Sequence, residues 1–250
     1  MPLPPLVVGR VRETYEKFPG GSLHTFSPER KYDIADARKL PAVGKKLDIL
    51  SQRFIMKKKR EKEQIFMYHR MNIAGLDRDL PICKVTDDLY IAGFVIFGDQ
   101  ELTVACAKAL LERAPAYDYI ITAEAKGIPL AHEMARQAGD KKYLLARKAP
   151  KLYMKDIIEF QVRSITTARQ QTLYLDGADA ALMKGKRILI VDDVISTGES
   201  LYALEALVEK SGGIIAGRMA ILAEGDAQDR KDLVYLEKLP LFNPDGTVKG

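Results

Sequence analysis

Residues 187–200 read RILIVDDVISTGES. Four apolar residues, 188–191, run straight into two adjacent carboxylates, Asp192 and Asp193. A small hydroxyl-rich stretch follows: Val194, Ile195, Ser196, Thr197, Gly198, Glu199 and Ser200. An unbroken apolar run of this length fits a strand covered on both faces, as in a parallel sheet. Two like charges side by side repel each other, so folding alone does not select the doublet. A ligand gives a reason to keep it.

The surrounding pattern supports such a sheet. From about Asp99 onward, helical and strand patterns alternate with short connections. DQELTVACAKALLERA (99–114) has helical spacing, and YDYIITAEAKG (117–127) is a β-rich run ending in Gly. IPLAHEMARQAG (128–139) predicts a helix closed by Gly139. KYLLARK, TLYLDG and RILIVDD predict strands. GESLYALEALVEKSGG predicts a helix stopped at a Gly pair, and IIAGRMAILAEG a further strand. The fold class expected is α/β, a parallel sheet flanked by helices. Ligands of such sheets bind beyond the carboxyl ends of the strands. TAEAKG and DDVISTGES both lie at strand ends, which puts them on one edge.

The whole chain narrows the choice. It has 250 residues, 47% apolar and 29% charged, a globular composition with a formal charge of +5. That charge suits an anionic small molecule and is mild for a nucleic-acid binder. Cys83 and Cys106 form no CxxC or Cys/His cluster, which predicts a reduced compartment and no structural zinc. Prolines interrupt MPLPPLVVGR where a signal peptide needs a continuous apolar core, and no apolar run reaches the length of a membrane span. A cytoplasmic protein without membrane contact is expected. Residues 1–80 differ from the rest, with Pro-rich stretches and the basic run MKKKREKE (56–63), which reads as a solvated helix face. They are expected to form an accessory or hood region, and 81–250 the main domain.

The loop after the doublet has its own chemistry. Adjacent carboxylates can accept both hydrogen bonds of a vicinal diol, or face a Mg²⁺-bound one. Amides at a helix N-terminus, with the Ser196, Thr197 and Ser200 hydroxyls, suit a phosphate. Together they describe a ribose 5-phosphate binder. The doublet alone also fits a plain strand end, a receiver-type metal site, or a metal site in a nucleotidase of another fold.

The full stretch resembles the phosphoribosyl-diphosphate signature of the type I phosphoribosyltransferase family, nearest its adenine/xanthine branch. Glu199 departs from the pattern, standing where the family commonly has a second Gly. YIITAEAKGIPLA (119–131) is similar to the family's diphosphate loop, which implicates Ala125, Lys126 and Gly127. ARKAPK (146–151) repeats its Arg-Lys-x-x-Lys pattern through Arg147, Lys148 and Lys151. In dimeric members such cations reach the neighbouring subunit's diphosphate, so the resemblance implies a homodimer. Residues 162–187 resemble the mobile hood loop and β-ribbon of xanthine and purine-repressor relatives, with a lid over about 153–172. AGFVIFGDQEL (92–102) resembles the base-binding hood of adenine enzymes, which implies that Ile96 and Phe97 flank the base.

The resemblance implies phosphoribosyl transfer from phosphoribosyl diphosphate to a purine. Asp192 and Asp193 would act on the ribose and hold Mg²⁺, the cofactor expected. The alternative is a phosphoribosyl-diphosphate-sensing regulator that binds nucleic acid. The mild charge and the presence of the diphosphate cations weigh against it.

Overall fold

The computed structural model describes residues 67–163 and 170–249, all within one compact unit, Ile65–Gly250. The expectations placed on residues 1–66, and on the part of the lid at 164–169, lie outside the described residues.

The chain begins with strands β1 (Tyr68–Ile73), β2 (Leu76–Lys84) and β3 (Tyr90–Ala92). Helix α1 (Gln100–Leu111), β4 (Tyr119–Ala123), α2 (Gly127–Ala138) and β5 (Leu144–Ala146) follow. Next come β6 (Ile158–Arg163), β7 (Gln170–Leu175), α3 (Gly177–Met183) and β8 (Arg187–Ile195). The last elements are α4 (Glu199–Lys210), β9 (Ile214–Glu224), a 3-10 turn (Gly225–Asp229), β10 (Val234–Leu239) and β11 (Leu241–Phe242). The main sheet has the order β10-β9-β8-β4-β5, and every neighbouring pair in it is parallel.

Strand β8 lies at the centre because its apolar run feeds both faces. Leu189 and Val191 pack with Leu102, Cys106 and Leu110 of α1 and with Leu130 and Met134 of α2. Ile188 and Ile190 pack on the other side, with Met183 of α3 and Leu204, Leu207 and Val208 of α4. All four strand residues are fully buried, each contributing about 1.5–3 kcal/mol of hydrophobic stabilisation. At the opposite end of the strands, Asp118 accepts from the Arg187 backbone N–H at 2.7 Å and from its guanidinium at 3.1 and 3.2 Å. These bonds hold its carboxyl down at about 2 and pin the start of β4 to β8.

A second, antiparallel sheet, β1-β2-β3-β11, shares the α1 side of the core through Ile73, Leu80 and Phe242. Arg78 of β2 grips both oxygens of Asp99, at 2.7 and 3.0 Å. Asp99 is also the N-cap of α1, accepting from the Leu102 amide at 3.1 Å. One carboxylate thus fixes the helix start and the sheet together.

Helix ends fall where the sequence places them. Gly139 closes α2 in the left-handed region, and α4 stops at Ser211 before Gly212. TLYLDG forms a strand, but β7 pairs antiparallel with β6 in a separate ribbon, as the resemblance of 162–187 implies, and does not join the main parallel sheet. Leu173 and Leu175 are buried while Tyr174 between them is not, the one-sided alternation of an antiparallel strand. The ribbon lies against α4, with Phe160 edge-on to Tyr202 at 5.8 Å. Strand β10 carries Glu237 and Lys238 in its middle, which hides it in the sequence but suits the sheet edge it occupies.

Leu189→Ala is expected to lower the unfolding free energy by about 2–5 kcal/mol. Urea denaturation monitored by circular dichroism checks this. A change under about 1 kcal/mol would place the core elsewhere.

Candidate active site

Because the main sheet is parallel, the carboxyl ends of β4, β5, β8 and β9 open on one edge. The loops after them gather there, carrying most of the residues singled out in the sequence.

The carboxylate pair is half-sunk in this edge. Asp193 is 4% exposed, and its amide donates to Asp192 Oδ1 at 2.9 Å. The ammonium of Lys126 stands 2.6 Å from Asp193 Oδ2 and donates to the Phe94 carbonyl at 3.2 Å. The contact with Asp193 is an ion pair without hydrogen-bond alignment, so Oδ2 keeps no hydrogen-bond partner. Asp192 is raised far above the ordinary carboxylate range, first by burial and then by the neighbouring Asp193 charge; Lys126 opposes both. Glu224, ending β9, is also raised by burial and lowered by Lys126. One ammonium therefore serves three acids.

Gly127 makes this approach possible. A Cβ there would stand 2.2 Å from Thr122 Oγ1 and 2.9 Å from Asp192 Oδ1. Any larger residue would push the Thr122 and Asp192 side chains aside. Lys126, just before it, reaches the end of β8 through Asp193.

The stretch after the doublet turns into α4 through Gly198, at φ +79°. Ile195 is buried in the core and Val194 packs against it, so these two offer a ligand only their backbone. Thr197 is exposed, and Ser196 and Ser200 are partly so. Glu199 occupies the first position of α4, where the positive end of the helix dipole favours an acid.

The basic loop is tied to the same edge. Arg147 exchanges backbone hydrogen bonds with Tyr174 at 2.7 and 2.8 Å. Its Nε lies 3.4 Å from Glu124 Oε1, and the Lys148 amide donates to Glu124 Oε2 at 2.9 Å. Lys148 is exposed and Lys151 partly so. On the base side the expected pair divides. Ile96 is fully buried in the core and Phe97 is 51% exposed. Only Phe97 has surface to present to a base.

Three buried side-chain polar atoms among the described residues lack a hydrogen-bond partner: Thr122 Oγ1, Arg147 Nε and Asp193 Oδ2. They sit at the ends of three adjacent strands or just beyond, β4, β5 and β8. Buried polar groups are rarely left so, and a cluster of them marks a place where a ligand completes the bonding. Among the described residues no group of three or more His, Cys, Asp or Glu side chains is arranged to hold a metal by itself. A pair of carboxylates is nonetheless a sufficient protein share for Mg²⁺, which keeps waters and takes its other oxygens from substrate phosphates.

Sequence reasoning left Thr122, Glu124, Phe94 and Glu224 unassigned. Glu124 stood within a quoted segment, and Glu224 ends a strand on the same edge. Their partners become visible only once the strands are ordered.

Comparison with known proteins agrees with this geometry. The profile of the phosphoribosyl transferase domain matches residues 103–237. A hypoxanthine/guanine phosphoribosyltransferase of Methanococcus voltae is 34% identical over 134 residues, 53% of this chain and 67% of the relative. An adenine phosphoribosyltransferase of Brachyspira hyodysenteriae is 34% identical over 124 residues, 50% and 68% of the two chains. An orotate phosphoribosyltransferase of Sordaria macrospora is 35% identical over 157 residues, 60% and 57%. Among solved structures, the adenine phosphoribosyltransferase of Thermoanaerobacter pseudethanolicus shares the fold, with a TM-score of 0.50 and 21% identity over 69% of this chain and 95% of the other.

Two predictions follow from the carboxylate pair. A raised Asp192 pKa gives stability that is complete below the unfolded value and is lost as pH rises through the folded value. Asp192→Asn escapes that loss, so its Tm should exceed the wild type's by an amount that grows from about pH 4 upward, reaching about 2–6 °C. A gap independent of pH would mean that folding leaves the carboxyl's pKa unshifted. Gly127→Ala is expected to cost about 1–3 kcal/mol of stability by overpacking, read from the shift of the urea midpoint. A neutral result would show that the loops stand further apart.

Proposed function

The chain belongs to the phosphoribosyl transferase domain family, and from that membership we propose that it moves the phosphoribosyl group of phosphoribosyl diphosphate onto a purine, in purine salvage. The observation that carries the reading is the cluster of unsatisfied buried polar atoms at the ends of β4, β5 and β8. It lies where the carboxylate pair and the anion loops converge.

The transition state of such a transfer is oxocarbenium-like at the ribose, and the departing group is a polyanion. The protein's work is to align base and ribose and to favour that charge distribution. Asp192 and Asp193 accept from the ribose hydroxyls, and their negative charge steadies the positive ring. Positive charge on the ring also relieves the repulsion that raises Asp192. The amides of 196–200, with the Ser196, Thr197 and Ser200 hydroxyls, hold the 5-phosphate. Lys126 balances Asp193 and, at 41% exposure, remains within reach of the diphosphate. Arg147, Lys148 and Lys151 add cations on its far side. Asp192 and Asp193 would be the protein's ligands to a Mg²⁺ ion, which would supply charge neutralisation for the leaving group. Phe97 offers a flat apolar face to the base.

A two-fold homodimer with cations shared between sites remains part of the proposal. The pairing of Arg147 with Glu124 of its own chain favours an internal role for that residue, which leaves Lys148 and Lys151 as the candidates to cross over.

Diphosphate release from phosphoribosyl diphosphate, assayed against adenine, hypoxanthine, guanine, xanthine and orotate, tests the reaction and its base together. Asp192→Asn and Asp193→Asn should each lower the rate by about a hundredfold or more, as loss of a charged acceptor at the reacting ring implies. Turnover with orotate alone would overturn the purine assignment. Full turnover in both variants would overturn the site.

A further inference from the structure

The loop read as the 5-phosphate cradle carries no cation of its own. In residues 194–200 the single ionisable side chain is Glu199, an acid. It sits at the first position of α4, where a bound phosphate would meet it. The loop itself therefore offers a phosphate amides and hydroxyls but no positive side chain.

A guanidinium reaches this loop from elsewhere in the chain. Arg230 directly follows the 3-10 turn after β9, on the same edge of the main sheet. Its Nη1 lies 3.6 Å from the point where a Cβ on Gly198 would stand. The rest of the guanidinium is committed. Asp232 accepts from Nε at 3.0 Å and from Nη2 at 2.8 Å, and Glu205 lies 3.5 Å from Nη2. Nη1 makes no hydrogen bond to the described residues. The side chain is about one-third exposed, so it is braced without being sealed.

Arg218 completes the group, bonded through Nε to Glu205 and 3.3 Å from Asp232. Two acids and two arginines form a neutral quartet under the first turns of α4. Structural bracing accounts for Arg218, whose side chain pairs with Glu205 and Asp232. It does not account for the edge of Arg230 turned toward Gly198.

We propose that Arg230 is a further substrate-binding residue, its Nη1 donating to the 5-phosphate held over Gly198. The proposal rests on the reading of 196–200 as that phosphate's cradle. Guanidinium suits the role because one fork can be fixed by carboxylates while a remaining N–H pair binds an anion.

Calorimetric titration with ribose 5-phosphate, and separately with inorganic diphosphate, tests this on the full chain. The proteins are wild type, Arg230→Gln, Arg230→Lys and Arg218→Gln, each checked for folding by circular dichroism. Arg230→Gln should weaken ribose 5-phosphate about tenfold or more, the size of one charge-assisted hydrogen bond, with diphosphate affinity unchanged. Arg230→Lys keeps the charge but not the fork, and should fall between; it also serves if the Gln variant does not fold. Arg218→Gln opens the same quartet without touching Gly198 and should bind both ligands as wild type does. In turnover, the Arg230 variants should raise KM for phosphoribosyl diphosphate more than they lower kcat. Equal weakening by Arg218→Gln would make the quartet purely structural, and unchanged ribose 5-phosphate affinity in both Arg230 variants would overturn the proposal. If wild type binds diphosphate but not ribose 5-phosphate, the cradle reading falls and Arg230 falls with it.

Discussion

Two carboxylates held side by side at the end of a buried strand cannot both be charged cheaply, and the site is organised around that constraint. Lys126 meets it. Its ammonium faces Asp193 at 2.6 Å, moderates Asp192 and Glu224, and donates to the Phe94 carbonyl. That last bond joins the segment read as base-binding to the one read as the diphosphate loop. Gly127, next in the chain, leaves the space that a Cβ would take from Thr122 and Asp192. The anion loop, the carboxylates and the hood segment are thus positioned by one charge.

Other cations along this edge are likewise held by acids. Glu124 holds Arg147 and the Lys148 amide, and Asp232 and Glu205 hold Arg230. A naked charge at this depth would cost several kcal/mol in desolvation, and a partner removes most of that cost. A bound anion then acts on ion pairs already formed, sharing or replacing carboxylate partners. Binding needs less rearrangement of charge than a set of unpaired cations would demand. Of the three buried polar atoms without an aligned hydrogen bond, Asp193 Oδ2 and Arg147 Nε belong to these ion pairs, and Thr122 Oγ1 is in none of them.

How far the sequence reveals this depends on how local each feature is. The apolar run of β8, the closure of α2 at Gly139 and the turn into α4 at Gly198 are each written within a few consecutive residues. All three appear in the fold as read. Strand β10 and the ribbon placement of β7 are not local facts. The first needs an edge to explain its charges, and the second needs α4 to cover its leucines. The same holds in the site. Asp192, Asp193 and Lys126 stand out as types in a pattern, whereas Glu124, Glu224 and Arg230 gain their meaning from partners 23 to 98 positions away, beside Asp232 close to Arg230 in the chain. For Ile96 the local pattern misleads. An apolar residue beside Phe97 reads as a base wall, yet the adjacent side chain turns into the core.

The phosphoribosyl half of the substrate is easier to infer than the base for a physical reason. A phosphate and a vicinal diol accept few solutions: amides at a helix start, small hydroxyls, and paired carboxylates. Those solutions are short and contiguous, so they persist as recognisable strings. A planar heterocycle can be sandwiched by many apolar side chains, and its edge can be read by a backbone carbonyl, whose position the side-chain sequence does not record. The contrast shows in the relatives, whose names divide among hypoxanthine/guanine, adenine and orotate at nearly equal identity. In this chain the segment read as base-binding, between β3 and α1, offers an exposed ring at Phe97 and backbone carbonyls, neither of which tells one planar base from another in the sequence.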